Sequence, residues 1–96
     1  RWVRIEPPIQ APVAVSRVEP TYPEEYRRAR VSGLVTLEAA VSETGAIENI
    51  GVLKSVAPGL DMAAVAAVRQ WKFTPATRDG KPVASLFNLT INFELK

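Results

Sequence analysis

The cleanest periodicity in the chain lies at its C-terminal end. Val83, Ser85, Phe87, Leu89, Ile91, Phe93 and Leu95 face one way, and Ala84, Leu86, Asn88, Thr90, Asn92, Glu94 and Lys96 face the other. A period of two held over about 13 residues predicts one long amphipathic strand, where strands usually run to about 5–6 residues. Gly33–Val41 alternates in the same way, with Val35, Leu37, Ala39 and Val41 on its apolar side. A second strand is predicted over Ile47–Ser55. Ile47 is out of phase with Ile50 and Val52, which predicts a bulge near Asn49. The intervening Ser-Glu-Thr-Gly-Ala-Ile holds Gly45, a residue able to take positive φ, so these two strands form a hairpin.

Elsewhere the period is helical. Ala64, Val65, Val68 and Trp71 fall on one face at a spacing of 3.6 residues. Pro58 and Gly59 break the chain before them, and Asp61 sits where a helix N-terminus favours a carboxylate. Glu24–Arg30 predicts a shorter helix, with Pro23 at its start, Glu24 and Glu25 at its N-terminal end and arginines at its C-terminal end. Gly33 follows as a stop. Asp79-Gly80 marks a turn before the last strand. The expected fold is α+β: a three-stranded antiparallel sheet in the order second–first–third, with the short helix and the longer helix on its apolar face. Both outer strands are edges, and the long final strand is one of them. Trp71 and Phe73 are expected to plug the core from the helix end, beside Val65 and Val68.

Composition adds limits. The 96 residues suit one domain, and an apolar content of 47% permits one packed core. Five of the eight prolines, Pro7, Pro8, Pro12, Pro20 and Pro23, precede the first helix. Residues 1–17 therefore read as a Pro-rich extended lead-in, the end of a linker, and 18–96 as the domain. Trp2, Val3 and Ile5 are able to pack or pair at a sheet edge. The chain starts at Arg1, as a fragment or processed product does, and no run reaches the ~18–20 apolar residues of a membrane span. Any anchor is expected upstream. With neither Cys nor His, disulfides, thiolate or imidazole metal sites and His-based acid–base chemistry are excluded. Glu24, Glu25 and Asp61 read as helix-start groups, so no catalysis, cofactor or metal is expected. A net charge of +2 is too small to imply nucleic acid. The outer face of the final strand also lacks an aromatic stacking pair.

The ordered motifs are Pro-Thr-Tyr-Pro at Pro20–Pro23, Gly33, Glu-Thr-Gly at Glu43–Gly45, Asn49–Ser55, Ala-Val-Arg-Gln-Trp-Lys-Phe-Thr-Pro at Ala67–Pro75, and Asp79–Val83. Together they resemble the C-terminal domain of TonB-type energy transducers over residues 18–96. The resemblance implies a periplasmic domain whose parent crosses the inner membrane once and spans the periplasm with a Pro-rich linker. Such a parent carries force from a proton-driven inner-membrane motor to outer-membrane receptors that import iron chelates, vitamin B12 or glycans. The domain grips the TonB box, a short extended peptide at the receptor's N-terminus. It also implies receptor contacts at Glu19, Pro20, Tyr22 and Pro23. Some members carry Gln where this chain has Glu19.

The residues themselves point to the same mode of binding. An exposed edge strand offers main-chain N–H and C=O groups to an added strand, with little demand on sequence. Leu86, Phe87, Asn88, Leu89, Thr90, Ile91 and Asn92 are the candidate seat. Edge strands are usually protected, so Arg1–Ile9 or a second copy of the chain is the competing occupant, and a homodimer is one outcome. Arg27, Arg28 and Arg30 read as a solvated helix end, or as a contact to acidic groups on a receptor or the cell wall. The alternative function is a TonB-like interaction or self-association module of another cell-envelope protein. An upstream membrane helix and Pro-rich linker would favour the first reading.

Overall fold

The structure, a computed structural model, describes residues 2–95; Arg1 of the expected lead-in and Lys96 of the expected final strand lie outside the described residues. An extended arm carries β1 (Val3–Arg4), β2 (Ile9–Gln10) and β3 (Val13–Ser16). The body follows as α1 (Glu24–Arg28), β4 (Gly33–Val41), β5 (Ile47–Lys54), α2 (Pro58–Val68), β6 (Lys72–Thr74), β7 (Ala76–Arg78), β8 (Lys81–Val83) and β9 (Ser85–Phe93).

The central strand is β4. Val35, Leu37, Ala39 and Val41 are fully buried, as their alternation demands. On one side β4 pairs antiparallel with β9 through nine unbroken rungs, from Gly33 opposite Phe93 to Val41 opposite Ser85. On the other side it pairs antiparallel with β5, where Ile47 faces Val41 but Asn49 faces Ala40. The extra residue is Glu48, which places the expected bulge beside Asn49. A second irregularity lies between the Thr36–Lys54 and Leu37–Val52 pairs.

The order β5–β4–β9 is the expected one, but the sheet is neither three-stranded nor wholly antiparallel. β1 adds in parallel outside β9, giving a mixed sheet of order β1–β9–β4–β5. Two smaller sheets, β2–β7–β8 and β3–β6, complete the strand set. The prolines of the arm cut it into pieces of two to four residues, too short to show a period. The last strand starts at Ser85 because Val83 belongs to β8, which forms a hairpin with β7. At that hairpin's tip Asp79 and Gly80 have φ of 52° and 78°. Positive φ at both central residues gives a twist that suits a two-residue hairpin.

Helix α2 lays Leu60, Ala64, Ala67 and Val68 on the sheet, all buried. Val65 is only half-buried, at the margin of this layer. Asp61 secures the helix start: its Oδ1 accepts the Val56 N–H at 3.0 Å, and Ser55 donates its hydroxyl to the other oxygen. Gln70 and Trp71 donate their N–H groups to the carbonyls three residues back, so the chain tightens into a turn after Val68. Trp71 therefore stands beyond the helix rather than in its last turn. Helix α1 docks on the start of α2 through Tyr26, whose hydroxyl accepts the Gly59 N–H at 3.2 Å. Any Cβ on Gly59 would lie 2.1 Å from the Tyr26 ring, so this approach requires glycine.

Trp71 and Phe73 pack 6.1 Å apart, and Phe73 meets Phe87 edge-on at 6.0 Å. Phe73, with Ala39 and Val41, forms a second buried cluster beneath the hairpin. Trp71 is half-buried and reaches in two directions. It borders both clusters, and its Nε1–H donates to the Val18 carbonyl at 2.9 Å. The Arg17 guanidinium stacks 5.3 Å from its ring. The Trp is thus the clamp that fixes the end of the arm to the body. No helix among the described residues is long and apolar enough to cross a membrane.

Two substitutions test this account. Trp71→Ala should lower stability by about 2–4 kcal/mol, below the full cost of a wholly buried Trp, because packing and the bond to Val18 are both lost. Gly45 has φ of 87°, and a Cβ there would sit 1.9 Å from the Phe73 carbonyl oxygen. Gly45→Ala should therefore cost about 2–3 kcal/mol. Denaturant unfolding measures both. A wild-type midpoint for either variant would contradict the corresponding contact.

Candidate functional site

Which main-chain groups of β9 point outward follows from one bond. The Val3 N–H donates to the Ala84 carbonyl at 3.1 Å. Successive residues of a strand direct their main-chain groups to opposite sides in the plane of the sheet. Even-numbered residues of β9 therefore turn theirs away from β4, and odd-numbered residues spend theirs on β4. Arg4 pairs with Leu86, which takes that residue of the expected seat out of the free edge. Among the described residues no strand pairs with the outer side of β9 beyond Leu86. The open stretch runs over Phe87–Phe93, with Asn88, Thr90 and Asn92 as its outward-bonding positions. Their side chains are exposed, while Ile91 is buried and Phe87 and Leu89 are half-buried on the opposite face.

The fold brings other expected residues to the two ends of this edge. At the near end Arg4, Ile5, Leu86, Phe87 and Asn88 line an open hollow of about 260 Å³. At the far end the Tyr22 ring packs edge-on against Phe93 at 5.3 Å, and its hydroxyl donates to the Val31 carbonyl. That contact holds the Pro20–Pro23 segment beside the end of β9. Pro20 and Pro23 are half-buried there, whereas Glu19 is exposed. Arg27, Arg30, Glu94 and Leu95 line a second hollow of about 340 Å³.

The arginines divide. Arg27 and Arg28 both bond Glu24, at 2.6 and 3.3 Å. Hydrogen bonding from Arg27 holds the Glu24 carboxyl below its ordinary pKa and raises that of Arg27. Arg30 makes no ion pair among the described residues. No group of three or more Asp, Glu, His or Cys able to hold a metal is present among the described residues.

Three features escaped the sequence reading. The Arg4–Glu38 ion pair lies across β9 and joins residues 34 positions apart. The clamp of Val18 and Arg17 on Trp71 has no periodic signature. A third hollow of about 390 Å³ lies between β5 and α2, lined by Val52, Asp61, Met62, Val65, Ala66 and Arg69. The sequence carried no signal for it: Val52 shares the inward face with Ile50, yet it is 43% exposed.

Comparison with known proteins places these residues in context. A family described as Gram-negative bacterial TonB protein C-terminal matches residues 18–95. Protein TonB of Vibrio cholerae serotype O1 is 34% identical over 90 residues, covering 92% of this chain and 37% of that protein. Protein TonB of Xanthomonas campestris pv. campestris is 39% identical over 77 residues, covering 79% and 34%. Protein tonB2 of Pseudomonas aeruginosa is 38% identical over 77 residues, covering 79% and 28%. The chain spans about a third of the length of these curated relatives.

The parity of β9 gives a sharp test by proline, which deletes one N–H. Leu89→Pro removes a group directed at Leu37 of the central strand and should cost about 2–4 kcal/mol. Asn88→Pro removes an outward group and should keep a cooperative fold with wild-type circular dichroism. Equal damage from the two would refute the assignment of directions.

Proposed function

Because the chain belongs to the TonB C-terminal family, we propose that it is the periplasmic receptor-binding domain of a TonB-type energy transducer. It captures the TonB box of an outer-membrane receptor as an added strand on β9. The parent protein is anchored in the inner membrane through an upstream segment and couples a proton-driven motor there to transport across the outer membrane. Residues 1–17 are the end of the linker, and residues 18–96 are the domain. The chain carries no catalysis and uses no cofactor.

The observation that carries this reading is the regular open edge at Phe87–Phe93. Asn88, Thr90 and Asn92 each turn one N–H and one C=O outward. Saturating them makes about six main-chain bonds, each worth roughly 0.5–1.5 kcal/mol net. Ordering a free peptide and fixing it to a surface offsets much of that gain. The balance is a modest affinity with little side-chain selectivity, which suits a coupler that serves several receptors and must let go. At the far end Arg30 is available to an acidic flank of the peptide or of the receptor plug. Pro20–Pro23, with Glu19 and Tyr22, forms the adjoining wall.

Titration of the isotope-labelled chain with synthetic peptides copying the N-terminal segments of the same cell's outer-membrane receptors tests the proposal. The largest amide shifts should fall on Asn88, Thr90 and Asn92. Asn88→Pro should weaken binding at least tenfold, about 1.4 kcal/mol. Shifts confined to β5 or α2, or no binding by any segment, would overturn it.

A further inference from the structure

We infer that β1 is a built-in competitor for the receptor strand, holding the first rungs of the β9 edge until an incoming strand displaces it. The inference rests on the strand-addition reading above and deepens it. Val3 and Arg4 run parallel to β9 opposite Ser85 and Leu86, the rungs at which the open edge begins. They bond main-chain groups that an added strand would use only on lengthening past Phe87, as the Val3 N–H does at Ala84.

The cover is built to be short. Beyond Arg4 the chain leaves the edge: the Ile9 N–H closes a turn on the Glu6 carbonyl at 2.7 Å, and β2 then pairs with β7 instead. Pro7 and Pro8 have no N–H to lend to a ladder. The arm therefore cannot extend over Asn88, Thr90 and Asn92, which stay available as a landing stretch. A strand that lands there and lengthens toward Leu86 meets Ile5 and then Arg4 head-on. Arg4 is held by Glu38 on β4, but its side chain is 66% exposed and the pair is readily broken. Once β1 lifts, β2, β3 and the Trp71–Val18 clamp keep the freed end close by. The local concentration of the cover is then high, and it closes again when the partner leaves. Occupied rungs lower the apparent affinity by the fraction of time that the edge is fully bare.

Val3→Pro, which deletes the bond to Ala84, and Arg4→Glu, which sets two carboxylates against each other, should each tighten binding of the receptor-segment peptides about tenfold. Arg4→Lys should bind like wild type. In the wild-type chain, nuclear Overhauser contacts between Val3 and Ser85 should vanish on addition of peptide, while those between Ile9 and Arg78 persist. If a peptide binds along β9 and the Val3–Ser85 contacts remain, or if both variants bind no tighter than wild type, β1 is not a competitor although the edge is still the receptor seat. If no segment binds wild type or either variant, the receptor reading falls and the competitor falls with it.

Discussion

Every feature of the edge follows from the uninterrupted pairing of β4 with β9. Nine rungs in one register assign each residue of β9 two fixed directions, one for its side chain and one for its main-chain groups. The odd positions send side chains into the core and main-chain groups to β4. The even positions are left facing solvent and the open side. A slip of one residue would exchange the two sets, burying Asn88, Thr90 and Asn92 and exposing Ile91 and Phe93. The buried face therefore stabilises the fold and also sets the polarity of the edge.

The two outer strands are not equivalent. β5 is disturbed twice in eight residues, at Glu48 and again near Leu53. Bulges of this kind twist an edge and spoil its pairing, one of the ways in which sheets avoid sticking to one another. β9 carries no irregularity against β4. It is covered instead by two residues of the arm at one end, while at the other the Tyr22 ring packs against Phe93. One edge is blunted by its own shape and the other is merely shaded.

What could be read from sequence was whatever repeats. The alternation in Gly33–Val41 and Ser85–Phe93 identified the paired strands and their inward faces residue by residue, and the phase break at Ile47 located the bulge. Helix α2 was legible in extent at its start, from Pro58 and Asp61. Its end was not, because Trp71 continues the helical spacing although the backbone has already turned. The arm was legible only as extended. Its three docking points depend on contacts between residues some 60 to 80 positions apart, such as Val13 with Thr74 and Val3 with Ser85, and two-residue strands have no period to detect. At the edge, sequence defined the strand and its apolar face but not the direction of its free N–H groups, which needed the single bond from Val3. Arg30 was grouped with Arg27 and Arg28 because composition cannot show that Glu24 engages only the latter two.

The arm also determines how a pull would travel through the molecule. Tension entering from the N-terminal side meets β1, β2 and β3 in turn before it reaches the Trp71 clamp at Val18. Each is paired over only two to four residues, so under load they would open as a series of weak stitches before the nine-rung seam of β4 and β9. Freed to Val18, the arm could reach up to roughly 55 Å from that clamp at about 3.3–3.6 Å per residue. That is comparable with the 48 Å long axis of the molecule. Under such a pull the arm would yield reach first and would load the core only when taut.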